Sequence, residues 1–259
     1  ANGTSGIVPC GTTGESATLS HQEHHRVVEL TVEVVNRRIP VIAGAGSNST
    51  AEAVSLTKHA KQAGADGALL ITPYYNKPTQ EGLYRHYKVI AESVDLPQIL
   101  YNIPGRTGVN MLPSTVARLC GLQSIVGIKE GSGSVQQASE IASLCGDRMT
   151  VLAGDDALTL PMMAVGGKGV ISVTSNIVPS EMAQLVKAFL SGRIEEARRI
   201  HFALSPLFTA LFYETNPIPV KTALGLMGKI DPELRLPLCP MATETQDQLT
   251  RTLKDAGLI

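Results

Sequence analysis

Short apolar runs of β-forming residues alternate along this chain with longer segments that have helical periodicity. The spacing between runs is roughly 19 to 35 residues, which is typical of repeated strand–loop–helix units. Because the runs lack polar alternation, they predict a parallel sheet covered by helices on both faces. The seven runs are Gly6–Val8, Val41–Ala43, Ala68–Thr72, Ile99–Asn102, Ile125–Lys129, Thr150–Ala153 and Val170–Ser172.

Helix boundaries are also marked in the sequence. Ser20 and Ser49 are each followed three residues later by a glutamate, and this spacing predicts a capping box at both helix starts. Proline is tolerated in a first helical turn, and glycine commonly ends a helix. Pro113 and Pro179 therefore predict two helix starts, and Gly64 and Gly146 predict two helix ends.

The repeated units predict an α/β fold, a (β/α)8 TIM barrel, although only seven of the eight units are visible. After Ser172 the pattern changes to helical segments and proline-rich turns. We therefore expect a barrel over residues 1–192, a C-terminal helical appendage over residues 193–259, and the first strand and helix of the barrel before Ala1. A complete seven-unit or open sheet is the alternative.

Composition narrows the classes of protein. The chain has 259 residues, is 43% hydrophobic and carries a net charge of −1. With no basic run, its charge favours neither nucleic acid nor an anionic membrane as a partner. No apolar stretch approaches the ~18 residues needed to cross a bilayer, and the amino terminus does not resemble a signal peptide. The scattered cysteines Cys10, Cys120, Cys145 and Cys239 predict reduced thiols and a cytoplasmic location.

Lys129 is the most informative residue, because it ends an apolar run and precedes a glycine-rich turn. A free lysine has a pKa of about 10.4, so its amine is almost entirely protonated at neutral pH. Enclosure at an apolar strand end, near other positive charge, would lower that pKa and free the amine to attack a ketone. The alternative is a lysine that extends from the strand end into solvent.

Other reactive side chains follow the predicted strands, and barrel enzymes place their active groups at these carboxyl ends. Hydroxyls in a glycine-flanked turn can hold a small carboxylate, tyrosine can move protons, and arginine can grip a carboxylate at two points. The polar residues at these ends include Thr12, Thr13, Tyr74, Tyr75, Tyr101, Arg106, Asp155 and Asp156. For the two aspartates, capping of the next helix is the simplest interpretation.

From about Asn2 to Ile259 the chain resembles the dihydrodipicolinate synthase family of pyruvate-dependent class I aldolases. The resemblance is carried by the motifs Gly11–Ser16, Thr72–Asn76, Tyr101–Gly108, Gly127–Glu130 and Asn216–Lys221. It implies a lyase that condenses pyruvate with L-aspartate 4-semialdehyde to 4-hydroxy-tetrahydrodipicolinate in lysine (diaminopimelate) biosynthesis. It also implies a homotetramer, a dimer of dimers, that needs no cofactor or metal.

The resemblance implies a role for each matching residue. Lys129 forms the Schiff base, and a proton relay uses Tyr101, Thr13 and Tyr75, with Tyr75 reaching a neighbouring subunit. Thr12 and Thr13 hold the pyruvate carboxylate, Arg106 binds the semialdehyde carboxylate, and the Gly154 and Ile171 backbones line the pocket. A feedback site for lysine matches Ser16, Ala17, His21, His24, Asn48, Glu52 and Tyr74, which are otherwise ordinary polar surface residues.

Competing functions are another pyruvate aldolase, such as N-acetylneuraminate lyase, and a non-catalytic remnant of a barrel. Arg106 and the Thr12–Thr13 pair favour the synthase over the lyase. A phosphate-dependent barrel enzyme lacks support, because the last strand ends have no glycine-rich cradle. The spacing of His21 and His25 invites a metal site, but the His-Glu-x-x-His order is absent.

Overall fold

A computed structural model describes residues 2–259, and within them six strands form one parallel sheet. The strands are β1 (Ile42–Gly44), β2 (Gly67–Ile71), β3 (Gln98–Asn102), β4 (Ile125–Glu130), β5 (Thr150–Ala153) and β6 (Gly169–Val170). They pair in chain order, and every pair is parallel. This topology is TIM-barrel-like, whereas the strand and helix expected before Ala1 lie outside the described residues.

Helices follow the strands, as the sequence pattern predicts. Ser20 forms the complete capping box with Glu23, and Pro113 and Pro179 each occupy a first helical turn. The helices are α1 (His21–Val35), α2 (Thr50–Ala63), α3 (Gln80–Ser93), α4 (Pro104–Thr107), α5 (Pro113–Leu119), α6 (Val135–Cys145), α7 (Thr159–Ala164), α8 (Pro179–Leu190), α9 (Ile194–Ala210), α10 (Ile218–Leu226) and α11 (Thr243–Asp255). None of them, within residues 2–259, combines the length and apolar character needed to cross a bilayer.

Two local predictions are wrong. The run Gly6–Val8 is not a strand but contributes one bridge, from Ile7 to Val41, since Pro9 has no N–H with which to extend the ladder. The second predicted capping box is only half formed. Ser49 accepts a hydrogen bond from the Glu52 backbone, but the Glu52 carboxylate accepts from Ser47 and bonds His21 instead.

Contacts divide the chain into two compact units. The sheet unit comprises Ser5–Gly11 and Ser20–Ile171, and it contains β1–β6 and α1–α7. Its core is built from strand side chains such as Leu70, Leu100 and Ile128, all fully buried. Burial of such aliphatic side chains stabilises the unit by roughly 1.5–3 kcal/mol for each residue.

The helical unit comprises residues 2–4, Thr12–Leu19 and Ser172–Ile259, and it contains α8–α11. Leu185 of α8, Leu207 of α9 and Leu249 of α11 are buried within it. The polar turn that carries Thr12 and Thr13 therefore belongs to this unit.

Candidate active site

Lys129 is the penultimate residue of β4, and its register neighbours are Tyr101 on β3 and Leu152 on β5. The side chain is 9% exposed. Its Nζ lies over the Tyr101 ring, 4.2 Å from the centroid. The predicted placement of this lysine at the carboxyl end of an apolar strand is confirmed, and the amine is enclosed rather than extended into solvent.

The electrostatics around Lys129 favour a neutral amine. Burial lowers the pKa of Lys129 to about 8, the carboxylate of Asp156 acts to raise it, and the guanidinium of Arg106 acts to lower it. With a pKa near 8, roughly a tenth of the amine is neutral at pH 7, against about one part in 2,500 for a free lysine. The site therefore supplies a nucleophilic amine near neutral pH.

Arg106 lies on α4, the single turn that directly follows β3. Pro104 occupies the first turn of α4, Gly108 ends it with φ +73°, and the Thr107 hydroxyl donates to the Ile103 carbonyl at 3.1 Å. These features hold the turn against the strand end. Arg106 is exposed. Its guanidinium acts to lower the pKa of Lys129, so the two cationic groups lie in the same region of the sheet unit.

Gly154 and Ile171 continue β5 and β6 at the same edge of the sheet. The Gly154 N–H donates to the Glu130 carbonyl at 2.7 Å, and the Ile171 N–H donates to the Ala153 carbonyl at 3.0 Å. A Cβ on Gly154 would lie 2.9 Å from the Cα of Gly131. Only glycine therefore permits this close approach of the two strand ends.

Thr12 and Thr13 lie in the helical unit. Asn216 donates from Nδ2 to the Thr13 hydroxyl at 3.0 Å, and the Thr12 carbonyl accepts from the Glu15 N–H at 3.1 Å. Lys221 forms an ion pair with the Glu15 carboxylate. Burial acts to raise the pKa of Glu15, but the hydrogen bond from Lys221, followed by further contacts, holds it below its ordinary value. The turn is thus fixed at Thr13 and at Glu15.

Tyr75 differs from the other relay candidates because its side chain is 90% exposed. Its backbone is left-handed, with φ +71°, which is uncommon for a bulky residue. The turn is held by Asn76, whose N–H donates to the Tyr74 carbonyl at 2.8 Å and whose Nδ2 donates to the Asn48 carbonyl at 2.9 Å. The Tyr75 phenol therefore lies on the exposed surface of the sheet unit.

The residues proposed for lysine binding divide between the two units. In the sheet unit, His21 Nε2 lies 2.8 Å from Glu52 Oε1, and the buried His24 bonds the Gly44 carbonyl through Nε2 at 2.8 Å. Hydrogen bonds from Ser47 and then His21 hold the pKa of Glu52 below its ordinary value. Asn48 and Tyr74 belong to the same unit, whereas Ser16 and Ala17 belong to the helical unit.

Local sequence patterns do not indicate two contacts of the candidate site residues. The sequence predicts that Asp155 and Asp156 both cap the next helix, but Asp156 is 2% exposed and acts electrostatically on Lys129. The cap itself is Asp155, which accepts from the Ala157 N–H. Asn216 is part of a family motif in the sequence, and in the structure it donates a hydrogen bond to Thr13, 203 positions away. No short-range pattern could have indicated either contact.

A buried amine of lowered pKa, at the carboxyl end of a parallel α/β sheet and beside a tyrosine, is typical of enzymes that form Schiff bases with carbonyl substrates. Sequence comparison gives the particular group. The chain belongs to the dihydrodipicolinate synthetase family, whose sequence model matches residues 1–256. The predicted family resemblance is therefore confirmed.

Individual relatives agree with this assignment. A 4-hydroxy-tetrahydrodipicolinate synthase from Geotalea daltonii is 63% identical over 259 residues, covering 100% of this chain and 89% of the relative. A chloride-inhibited dihydrodipicolinate synthase from Acinetobacter baumannii, complexed with pyruvate, has a TM-score of 0.98 at 50% identity over 100% of this chain and 89% of that one. The Cyanidioschyzon merolae enzyme with lysine bound has a TM-score of 0.96 at 44% identity, over 100% and 88%.

Proposed function

We propose that this chain condenses pyruvate with L-aspartate 4-semialdehyde to 4-hydroxy-tetrahydrodipicolinate, a step of lysine biosynthesis through diaminopimelate. The observation that carries the proposal is the buried Lys129 amine, with its pKa lowered to about 8. Membership of the family supports the same reaction, and so does the name of a relative that this chain matches over 89% of the relative's length. They also favour it over an N-acetylneuraminate lyase or a non-catalytic remnant.

The chemistry follows from the amine. Neutral Lys129 attacks the pyruvate ketone, and loss of water leaves an imine. Loss of a proton from the methyl carbon gives an enamine, whose carbon attacks the aldehyde of the second substrate. The amino group of the semialdehyde then displaces Lys129 from the imine and closes the ring. One water is released overall, the amine is regenerated, and neither redox chemistry nor a cofactor is required.

Proton transfer in these steps is assigned to Tyr101, Thr13 and Tyr75. Tyr101 is the register partner of Lys129 and its ring lies under the amine, and this proximity supports a part for its phenol in the relay. Tyr75 is assigned to the site of a neighbouring subunit. Its 90% exposure supports this role, and the assembly we propose is a homotetramer built as a dimer of dimers.

Different residues bind the carboxylates of the two substrates. The hydroxyls of Thr12 and Thr13 are assigned to pyruvate, and the family motif Gly11–Ser16 together with the Asn216 bond to Thr13 supports this. Arg106 is assigned to the semialdehyde carboxylate, because an exposed guanidinium beside the strand ends can bind it at two points. The Gly154 and Ile171 backbones line the pocket.

Lysine, the end product of the pathway, is the proposed effector. The residues assigned to it are Ser16, Ala17, His21, His24, Asn48, Glu52 and Tyr74. The low pKa of Glu52 supports the assignment because it keeps the carboxylate ionised for a cationic ligand. A relative bearing lysine, 44% identical to this chain, supports it as well.

The finer features of the fold belong to the same proposal. We assign residues 1–192 to a (β/α)8 barrel, of which seven units are visible in this sequence, and residues 193–259 to a helical appendage. The six parallel strands, which pair in chain order, and the Ile7–Val41 bridge support the barrel. We assign the enzyme to the cytoplasm, and the free thiols of its cysteines support a reducing compartment.

The decisive experiment traps the imine. The chain is mixed with pyruvate and borohydride, and the reduced three-carbon adduct is mapped by peptide mass spectrometry. We expect it on Lys129 alone, and we expect it to be lost in Lys129→Arg, because a guanidinium stays protonated. Lys168→Arg, at an exposed loop lysine before β6, is the matched control and should trap normally. An adduct on another lysine, or none in a preparation that consumes both substrates, contradicts the mechanism.

A further inference from the structure

Glu130, the residue after Lys129, is a buried acid with an unusual environment. It is 2% exposed, and within residues 2–259 the structure pairs it with no cation. Consecutive residues of a strand point to opposite faces, so its carboxylate lies across the sheet from the Lys129 side chain. A buried carboxylate is costly unless hydrogen bonds satisfy its oxygens, and here neutral groups do so.

Within residues 2–259, every hydrogen bond that the Glu130 carboxylate accepts comes from an N–H donor. Asn102 Nδ2 lies 3.1 Å from Oε2 and 3.4 Å from Oε1, and Gln137 Nε2 lies 3.0 Å from Oε2. The Ser132 N–H donates to Oε1 at 2.6 Å. Carboxylate oxygens accept hydrogen bonds, so these donors satisfy both oxygens of the buried group.

The three donors come from three separate segments. Asn102 ends β3 and faces Glu130 across the β3–β4 register. Gln137 lies in the first turn of α6, and Ser132 lies in the turn that joins β4 to α6. The Glu130 carboxylate therefore joins the end of β4 to the neighbouring strand, to the following turn and to the following helix.

A second ring of bonds holds the donors in place. Asn110 accepts from Asn102 at 2.8 Å and from Gln137 at 3.1 Å, and it donates to Gln137 Oε1 at 2.9 Å. Asn102 in turn accepts from the Met111 N–H at 2.9 Å. Because each carboxamide is bonded at both its oxygen and its nitrogen, the network has one arrangement in which all of its groups are satisfied.

We propose that Glu130 is a positioning residue for Lys129, fixing the end of β4 through this carboxamide network so that the amine meets the substrate ketone at the correct distance and angle. The proposal rests on the proposed function, because it assigns a role within Schiff-base formation. Reactive geometry is demanding, and a displacement of about 1 Å can cost roughly 100-fold in rate. The strand end that carries Lys129 is held from the face opposite to the amine.

The test is Glu130→Gln, with Glu140→Gln as the matched control on the exposed side of α6. In the first variant an NH2 group replaces one acceptor oxygen, so it opposes either the NH2 groups of Asn102 and Gln137 or the N–H of Ser132. Each protein is mixed with saturating pyruvate and quenched with borohydride at increasing times, and intact mass gives the fraction of chains modified. We expect the rate constant to fall about 10- to 100-fold in Glu130→Gln, with the same final fraction as wild type, and no change in the control.

The final fraction separates positioning from simple loss of structure. A partly unfolded variant would trap fewer chains at an unchanged rate constant, and this result would overturn the proposal, as would a wild-type rate constant in Glu130→Gln. If Glu130→Gln does not fold, Gln137→Met, which removes one donor, is measured in the same way. A slower rate constant with full modification supports the proposal, and an unchanged one refutes it. Failure of wild type to trap pyruvate at all would instead refute the proposed function.

Discussion

The ammonium nitrogen of Lys129 lies over the face of the Tyr101 ring, 4.2 Å from its centre, because the two residues are register partners on neighbouring strands. The negative face of an aromatic ring attracts a cation, whereas burial favours the neutral amine. Burial is the larger influence, and the pKa of Lys129 falls to about 8. The ring therefore stabilises the protonated resting state without preventing the amine from losing its proton near neutral pH.

The first prediction concerns the pH dependence of imine formation. The rate of pyruvate trapping should rise with pH through a midpoint near 8, because the neutral amine is the nucleophile. Asp156→Asn should move the midpoint to lower pH, since Asp156 acts to raise the pKa of Lys129. Arg106→Gln should move it to higher pH, since Arg106 acts to lower that pKa. Borohydride trapping across pH 6–11 measures all three, and shifts in the same direction for both variants contradict the assigned electrostatics.

The second prediction separates the two substrates. Arg106→Ala should slow consumption of aspartate semialdehyde by about 10- to 150-fold, the equivalent of losing a charge-assisted pair worth about 1.5–3 kcal/mol. Trapping of pyruvate, measured on the upper plateau of the pH profile, should change far less. Arg118→Ala, which removes a surface ion pair with Glu81, is the control. Equal losses in both half-reactions would show that Arg106 is structural.

Much of the fold could be predicted from local patterns. The run Thr150–Ala153 is the strand that the structure contains, and Ser20 forms the capping box that its spacing with Glu23 predicts. Both features depend on residues that are close in the chain. The incorrect strand prediction at Gly6–Val8 also has a local cause. Pro9 has no N–H with which to extend the ladder, and this outweighs the apolar composition of the run.

The site was only partly predictable for a different reason. The sequence places Lys129 at a strand end, but its pKa depends first on burial and then on Asp156, which reaches it only after β4 and β5 have paired. Glu130 and Asn102 are 28 positions apart and meet through the β3–β4 register. Such polar contacts depend on strand order and register, which periodicity alone does not specify.

The third prediction concerns the close approach at Gly154. Gly154→Ala places a Cβ 2.9 Å from the Gly131 Cα and 3.0 Å from the Glu130 carbonyl oxygen. Since backbone atoms cannot move away cheaply, we expect a loss of about 1–3 kcal/mol in the free energy of unfolding. Gly105→Ala is the matched control, because its Cβ would meet nothing within 4 Å, and it should change stability by less than about 0.5 kcal/mol. Urea unfolding compares them, and equal stabilities for the two variants would contradict the predicted clash.

The fourth prediction is feedback inhibition by lysine. Activity should fall as lysine is titrated into the millimolar range, and Glu52→Gln should weaken the inhibition by roughly 10-fold or more, as expected for loss of a charge-assisted hydrogen bond. Glu33→Gln, at an exposed position of α1, is the control. Steady-state rates at fixed substrate measure the effect. Wild-type activity that stays constant throughout the titration would refute the effector site.

The last prediction concerns stability in acid and rests on His86, a residue of α3 that is 6% exposed. Its Nδ1 lies 2.9 Å from the Thr50 hydroxyl, and its Nε2 is buried with no hydrogen-bond partner among residues 2–259. Burial lowers the pKa of His86 from 6.5 to about 4. The unfolded chain therefore binds a proton below about pH 6.5 that the folded chain does not bind until about pH 4, so stability falls as pH falls through this range.

A pKa difference of this size corresponds to about 3 kcal/mol of stability lost between pH 7 and pH 4. His86→Gln keeps a polar partner for Thr50 but cannot titrate, so its stability should fall less steeply over that range. Urea unfolding of both proteins from pH 8 to pH 4 measures the difference, and the region above pH 7, where the two curves should run parallel, is the internal control. Curves that stay parallel down to pH 4 would show that His86 is not the group whose protonation destabilises the fold.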